Sequence, residues 1–397
     1  MAEPPVPHHH RLRHLIVGLV VVVAILLGAL AFAVIEPTLT GSRTLSPSSL
    51  ITADPTLGPS IVPAEPTVEQ TDAPALAALA RHYQPTVVVS VGDRFWPVSV
   101  LPMLRLRWHR DVTCIVRDDR CVTRAPTPAD LRPDGSRATD YLQYPAPLNN
   151  VQDQFLAAAR ALGVSVDAIA RWTHTAALSN PFASAQVYFH YLRRSPRHAY
   201  HGLPKGLVSL QYWFFYALNY LPTVKTPTET LINPLGATIG NTDYHQGDLE
   251  HVAVLLDPRT FRPRYLWMAR HGDEGVAYRW HSRSVQWAGD HPVVYAAFGS
   301  HATYAHCGIQ RRERTFYVVN DYVVCIPHAT FGFTYRATPL VDLRHTAWAC
   351  WQGHLGEAGP HLDRGLVNFV PYESDGPRSP LLQQENLGTG CRSAAGG

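Results

Sequence analysis

Tyr244-His-Gln-Gly-Asp-Leu-Glu-His-Val-Ala-Val-Leu-Leu256 is the segment from which the fold of this chain can be read. Its second half is an apolar run rich in valine and leucine, the pattern of a buried strand, and Gly247 punctuates the polar half before it. The pattern predicts His245, Asp248, Glu250 and His251 at the mouth of one strand. Strand side chains alternate between faces, so Asp248, Glu250, Val252 and Val254 share one face while Leu249, His251 and Ala253 share the other. His245 has the wrong parity to join the carboxylates. Glycine tolerates positive φ, however, and a bulge at Gly247 is expected to swing His245 round beside Asp248. Such a His/Asp/Glu cluster suits magnesium, calcium or manganese, or zinc if further histidines join. His245, Asp248 and Glu250 are the expected metal ligands on this reading. The plainer alternative is a set of strand-end residues in solvent or in ordinary hydrogen bonds.

Outward from this segment the apolar stretches stay short, aromatic and β-branched: Thr86–Val91, Ala185–Leu192, Leu207–Leu218, Tyr265–Ala269, Val276–Trp280, Val293–Phe298 and Thr315–Val324. Gly272, Gly289 and Asp257-Pro258 separate them, which is the texture of an antiparallel β-sandwich. One helical insertion is expected at 149–172. Asn149 or Asn150 can cap Val151–Leu162 ahead of Gly163, and Ser165 can cap Val166–Trp172. No repeat of solenoid or propeller period interrupts the pattern. Residues 73–397 therefore read as a mainly β domain with enough chain for one large core or two abutting ones.

The first 72 residues read differently. Arg11, Arg13 and His14 precede an uncharged run, Leu15–Ile35, that would span about 31 Å as a helix and so match a hydrocarbon core of about 30 Å. Arginines on the amino-terminal side place residues 1–14 in the cytoplasm and the rest of the chain outside. The run is longer than the apolar core of a signal peptide, so an uncleaved single-pass signal-anchor is expected in the cell membrane. Residues 36–72 are rich in proline, serine and threonine and poor in aromatics, a composition that cannot offset the entropy of ordering and predicts an extended, disordered stalk.

Composition narrows the partners. A formal net charge of +3 with 16% charged residues, and no long basic run, leaves no electrostatic footprint for nucleic acid. The six cysteines form an even set in a chain with an export signal, which predicts disulfides. Cys114 and Cys121 bracket a short hairpin; Cys307–Cys325 and Cys350–Cys391 are the next most economical pairs, although six cysteines allow fifteen pairings. No C-x-x-C occurs, so zinc-ribbon and thioredoxin-like readings are poor.

Longer motifs add a resemblance. Gln211-Tyr-Trp-Phe-Phe-Tyr216, then His245-x-Gly-Asp-x-Glu-His251, then Val293-Val-Tyr-x-x-x-Gly-Ser-His-Ala-x-Tyr304 resemble the vacuolar protein sorting-associated protein 62 family and its bacterial relatives. Arg81–Val98, with His-Tyr-Gln-Pro-Thr and Arg-Phe-Trp-Pro-Val, resembles that family's opening segment. The resemblance spans roughly residues 76 to 310 and departs at Leu249, where the family usually has tryptophan, and at Asp93, where it often has glutamate. It implies a fold more than a reaction, and it adds His271 and His301, both at expected strand ends, to the polar cluster. A shorter pattern is similar to the G-H-R-H-D-W-E heptapeptide of necrosis- and ethylene-inducing-like proteins. Its cation-holding histidine, aspartate and glutamate map onto His245, Asp248 and Glu250, while Gly247 and Leu249 replace the second histidine and the tryptophan.

Three functions follow as expectations. The first is a divalent-cation-dependent binding module for a lipid headgroup or glycan, with Tyr212 and Trp287 among the stacking aromatics. The second is a metal-dependent hydrolase in which Glu250 or His301 moves the proton of a metal-activated water. The third is a structural domain whose polar cluster is a hydrogen-bonded network. Other chemistry is excluded: there is no G-x-S-x-G, H-E-x-x-H, phosphate loop or EF-hand pattern. Ser300 and His301 are adjacent on an extended chain, hence opposed and unsuited to proton transfer.

Overall fold

In chain order the described elements begin with helix α1 (Ala73–His82), strand β1 (Thr86–Val89) and the one-turn helix α2 (Val100–Met103). Five short strands follow: β2 (Arg107–Trp108), β3 (Asp111–Val112), β4 (Cys114–Arg117), β5 (Arg120–Arg124) and β6 (Tyr141–Gln143). The long strands come next, β7 (Val187–Leu192), β8 (Val208–Tyr220), β9 (Tyr244–Leu256), β10 (Pro263–Arg270) and β11 (Glu274–Arg279). After them stand β12 (Gln286–Ala288), β13 (His291–Ala296), β14 (Thr303–Tyr304), β15 (Gly308–Glu313), β16 (Val318–Val323), β17 (Gly332–Phe333) and β18 (Leu340–Asp342). The computed structural model describes residues 73–90, 93, 95–145, 185–193, 200, 202–220, 244–270, 274–313, 318–325, 332–333, 339–357, 376–383 and 391. The expected tail, membrane helix, stalk and helical insertion at 149–172 lie outside them. Among the described residues no helix is long and apolar enough to cross a membrane.

Two sheets carry the fold. The larger has the order β11-β10-β9-β8-β7-β18 and the smaller β12-β13-β1-β17, with β14 added to β13. Antiparallel pairing dominates, as expected, but β1 pairs β13 in parallel and β18 pairs β7 in parallel. These exceptions correct the purely antiparallel expectation. Each joins segments far apart in the chain, and local hydrophobic pattern carries no information about which distant strands meet.

Alternation in β8 and β9 divides the interior. Tyr212, Phe214 and Tyr216 on β8, with Val252 and Val254 on β9, share a core with Val87 and Val89 of β1 and Val294 and Ala296 of β13. The two sheets thus bury facing surfaces together. Trp213, Phe215 and Leu249 belong to a second core on the opposite face, with Phe95, Leu142, Trp348 and Trp351. Because the large sheet is covered on both faces, Tyr212–Leu218 of β8 and the second half of β9 read as continuous apolar runs, and the polar Ser209 and Gln211 of β8 are buried and hydrogen-bonded. Full burial of Phe214 and Phe215 contributes roughly 1.5–3 kcal/mol each.

Strand β9 begins at Tyr244, earlier than the apolar run alone predicts. It pairs with β8 in one constant register from Val208 opposite Leu256 to Tyr220 opposite Tyr244, interrupted where Ala217 would face Gly247. The expected bulge at Gly247 is corrected, because no extra residue enters there: Tyr216 opposite Asp248 and Leu218 opposite Gln246 keep one register on either side of it. Gly247 does adopt φ +66°, and a Cβ there would meet the Leu355 carbonyl oxygen at 2.6 Å. The chain at 355–357 presses against this end of β9. Gln246 N–H donates to the Glu357 carbonyl at 3.2 Å, and a Cβ on Gly356 would lie 1.6 Å from the Gln246 carbonyl oxygen.

All three expected disulfides are formed: Cys114–Cys121, Cys307–Cys325 and Cys350–Cys391. Cys307–Cys325 packs against the outer face of the small sheet beside Val293, Tyr295 and Tyr304. The other two tie the β4–β5 hairpin and the segment following β18.

Candidate functional site: a buried Asp–His–Asp network

Face parity along β9 is as the sequence predicts. Asp248 lies opposite Tyr216 and Glu250 opposite Phe214, on the side that continues into the shared core through Val252 and Val254. Leu249 and His251 take the other side. His251 stacks on Trp213 with ring centroids 4.1 Å apart, and burial pushes it down to about 3, so it is neutral.

The partner of Asp248 comes from the turn after β13. Gly299 has φ +77° there, and His301 has φ +56°, a left-handed conformation uncommon outside glycine. The turn is closed by Ala297 N–H to the Ala302 carbonyl at 3.0 Å and His301 N–H to the Ala297 carbonyl at 3.1 Å. This geometry aims the His301 ring inward. Its Nδ1 lies 2.8 Å from Asp248 Oδ2, and its Nε2 lies 3.5 Å from Asp93 Oδ2, an ion pair too long for a good hydrogen bond. Tyr216 stacks flat on the imidazole at 3.9 Å with 7° between the planes.

Electrostatics make the ring a cation. Burial alone would push His301 down, but the Asp93 charge, the hydrogen bond to Asp248 and the longer polar contact with Asp93 override it and raise the imidazole to about 9. Asp93 balances the same forces: burial raises its carboxyl, the His301 charge and bond outweigh that, and the Gly299 and Phe95 amides lower it further, so the net shift is downward. Those amides donate at 2.9 Å and 3.0 Å. Tyr216 is raised by burial and then by the Asp248, Glu250 and Asp93 charges, so its hydroxyl stays protonated. A buried imidazolium between two carboxylates is held by strong local attraction, and removing one member leaves an uncompensated charge at a cost of about 3–5 kcal/mol.

No protein-family model matches the chain, and neither does any curated protein. Three solved structures illustrate the likenesses that exist. One is described as "NLPPya in complex with glucosamine", 13% identical, covering 74% of this chain and 85% of that one at a TM-score of 0.31. Another is "Toxin fold for microbial attack and plant defense", 13% identical, covering 82% and 97% at 0.30. The third is Necrosis and Ethylene inducing Protein 2 from the causal agent of cocoa's Witches Broom disease, 11% identical, covering 70% and 83% at 0.25. These are the kind of protein to which the His245, Asp248 and Glu250 pattern is similar; the broader resemblance to the vacuolar protein sorting-associated protein 62 family gains no support. At such scores no property of these structures passes to this chain.

Of the nominated residues the structure brings Asp248 and His301 together, while His245 takes other partners. His245 lies opposite Asn219, its Nε2 2.9 Å from the Asn219 amide nitrogen and its Nδ1 2.6 Å from the Gly247 carbonyl oxygen. Asp248 Oδ1 accepts from the Leu249 amide at 2.8 Å while Oδ2 faces His301. Both ring nitrogens of His245 and both oxygens of Asp248 thus have partners within the protein. Among the described residues, no group of three or more His, Cys, Asp or Glu side chains is arranged to hold a metal ion. Glu250 is buried on the Asp248 side of β9, and His271 lies outside the described residues. Tyr212 is fully buried and donates its hydroxyl to the Ala80 carbonyl at 2.7 Å, which corrects its expected role as a stacking face. Trp287 is half-buried.

Local sequence gives Asp93 no signal beyond a departure from a motif, yet it supplies one of the two charges on His301. Ser300, as expected, points away from His301: it donates to Asp321 at 3.0 Å, and the Tyr304 hydroxyl donates to the other oxygen of the same buried carboxylate. The Gly-Ser-His-Ala turn thus feeds two adjacent networks with consecutive side chains.

Proposed function

We propose that residues 73–397 form a β-sandwich displayed outside the cell, and that the domain acts by binding a hydroxyl-rich ligand, a glycan or lipid headgroup. One observation carries this reading. Of the nominated ligand-binding and proton-carrying side chains that are described, His245, Asp248, Glu250, His301 and Tyr212 are buried, and Trp287 alone is left partly open to solvent. A hydrolase needs a proton carrier with a path to substrate. His301 and Asp248 are closed around each other, so their chemistry is to hold the β9 and β13 sheets together. The exterior location rests on the hydropathy of Leu15–Ile35 and agrees with three formed disulfides.

In this proposal His301 does the work expected of a cation, compensating the carboxylates from within. The test is a melting curve of the full chain with EDTA, then with magnesium, calcium, manganese or zinc, beside binding to immobilised glycans and to phospholipid vesicles. The expected result is a melt unmoved by chelator and ligand binding that survives it. A melt lowered by chelator and restored by metal would replace this reading with the cation-dependent module, and hydrolysis of a bound glycan would replace it with the enzyme. Protease added to intact cells should release the domain through residues 36–72; protection until the membrane is opened would reverse the orientation.

A further inference from the structure

Away from the buried network, the turn after β11 and the β12–β13 hairpin assemble a second constellation. Trp280 and Trp287, both half-buried, meet edge to face with centroids 4.6 Å apart. Tyr83, from the end of α1, packs edge-on against Trp280 at 5.4 Å. His281, with φ +55° and a side chain 51% exposed, tilts against Trp287 at 4.8 Å. Asp290, in the hairpin turn, sets Oδ1 3.2 Å from His281 Nε2 and Oδ2 3.1 Å from His82 Nε2, and its side chain remains 32% exposed.

Resting on the proposed function, we infer that this face is the ligand site and that it takes a neutral pyranose ring of a glycan. The chemistry of the face selects that ligand. Trp287 packs on the core and against Trp280 and His281, and its Nε1 donates to the Ser282 carbonyl at 3.0 Å, so the part of the indole left in solvent is a fixed apolar surface with its polar handle occupied. Beside it stands a carboxylate whose two oxygens keep acceptor capacity beyond the two imidazoles, since each oxygen has two lone pairs. A pyranose has both parts that match: a C–H face to lie on an indole and a hydroxyl edge to donate to Asp290. A lipid tail would cover Asp290 and His281 while giving the remaining acceptor capacity of Asp290 no hydrogen bond. An anionic headgroup would meet the Asp290 charge.

The face is also held in place before any ligand arrives. Ser282 N–H donates to the Arg279 carbonyl at 2.9 Å, Val285 N–H to the Ser282 carbonyl at 3.1 Å, and Trp280 N–H to the Arg264 carbonyl at 3.0 Å. Gly289 turns the hairpin at φ +64°. Rigid aromatic platforms lose little entropy on binding, which favours ligands that are costly to strip of water, such as sugars.

The experiment titrates full-length chain in detergent with hexasaccharides of β-1,4-glucose, β-1,4-N-acetylglucosamine and α-mannose, reading tryptophan fluorescence and heat. At least one should bind. Trp287→Ala should weaken it about tenfold or more, the loss expected for one aromatic platform, while Trp287→Phe retains most of the affinity. Asp290→Asn should weaken binding with the wild-type melting temperature. Wild-type affinity in both Trp287→Ala and Asp290→Asn overturns this placement while leaving the domain a glycan binder with its site elsewhere. If Trp287→Ala does not fold, Asp290→Asn decides. Binding of none of the three sugars overturns the pyranose assignment; if immobilised glycans and vesicles also fail to bind, the proposed function falls with it. Saturable binding of phosphocholine in their place overturns the sugar class alone.

Discussion

Titrating His301 tests the buried network directly. Its folded value of about 9 stands above the ordinary 6.5, and at about 1.4 kcal/mol per unit that difference corresponds to on the order of 3 kcal/mol. The sign follows from the direction. A group raised on folding contributes its full stabilisation below the unfolded value and loses it as pH rises through the folded one, so stability should fall between about pH 6.5 and pH 9. Asp248→Asn removes the carboxylate that holds Nδ1 at 2.8 Å and leaves Asp93 at 3.5 Å. The variant should be less stable at about pH 6 by a few kcal/mol, and its further loss toward about pH 9.5 should be less than half that of wild type. Urea unfolding at a series of pH values, with the slope held constant, measures both profiles. Groups titrating elsewhere cancel in the difference between the two proteins. Parallel profiles across this range would refute a protonated His301 in the fold.

Three further outcomes are expected. Burial pushes Glu357 up to about 7 against the opposing Gln143 hydrogen bond, so its carboxyl destabilises the fold as pH rises from about 4.5 through 7; Glu357→Gln should raise stability at about pH 8 by roughly 1–3 kcal/mol and have little effect at about pH 4. Gly247→Ala combines a left-handed φ with a Cβ 2.6 Å from the Leu355 carbonyl oxygen, so its midpoint in urea should drop by the equivalent of at least about 2 kcal/mol. Thiol titration of the unfolded, unreduced chain should find no free cysteine, and replacing both Cys350 and Cys391 by serine should cost about 4 kcal/mol on the chain-entropy argument for their 41-residue separation.

Strand β9 shows how far the sequence reached. That Asp248 and Glu250 share a face, with Leu249 and His251 on the other, follows from a two-residue repeat written into thirteen consecutive residues. The predominance of β-structure and the three disulfide pairs were legible for similar reasons, through the spacing of apolar runs and the order of the cysteines. The membrane span at Leu15–Ile35 rests on hydropathy alone. What Asp248 does was not legible. Its partner His301 lies 53 residues on, and Asp93, the second charge, reaches the same ring from the segment beyond β1, which runs parallel to β13. Whether a carboxylate holds a metal ion, a proton donor or water depends on which distant side chain arrives in its low-dielectric surroundings, and no local periodicity encodes that. Tyr212 and Trp287 make the same point. Both are large aromatics in strands, yet closure of two sheets buries the first completely, and the second sits beside an exposed turn where part of its surface stays in water.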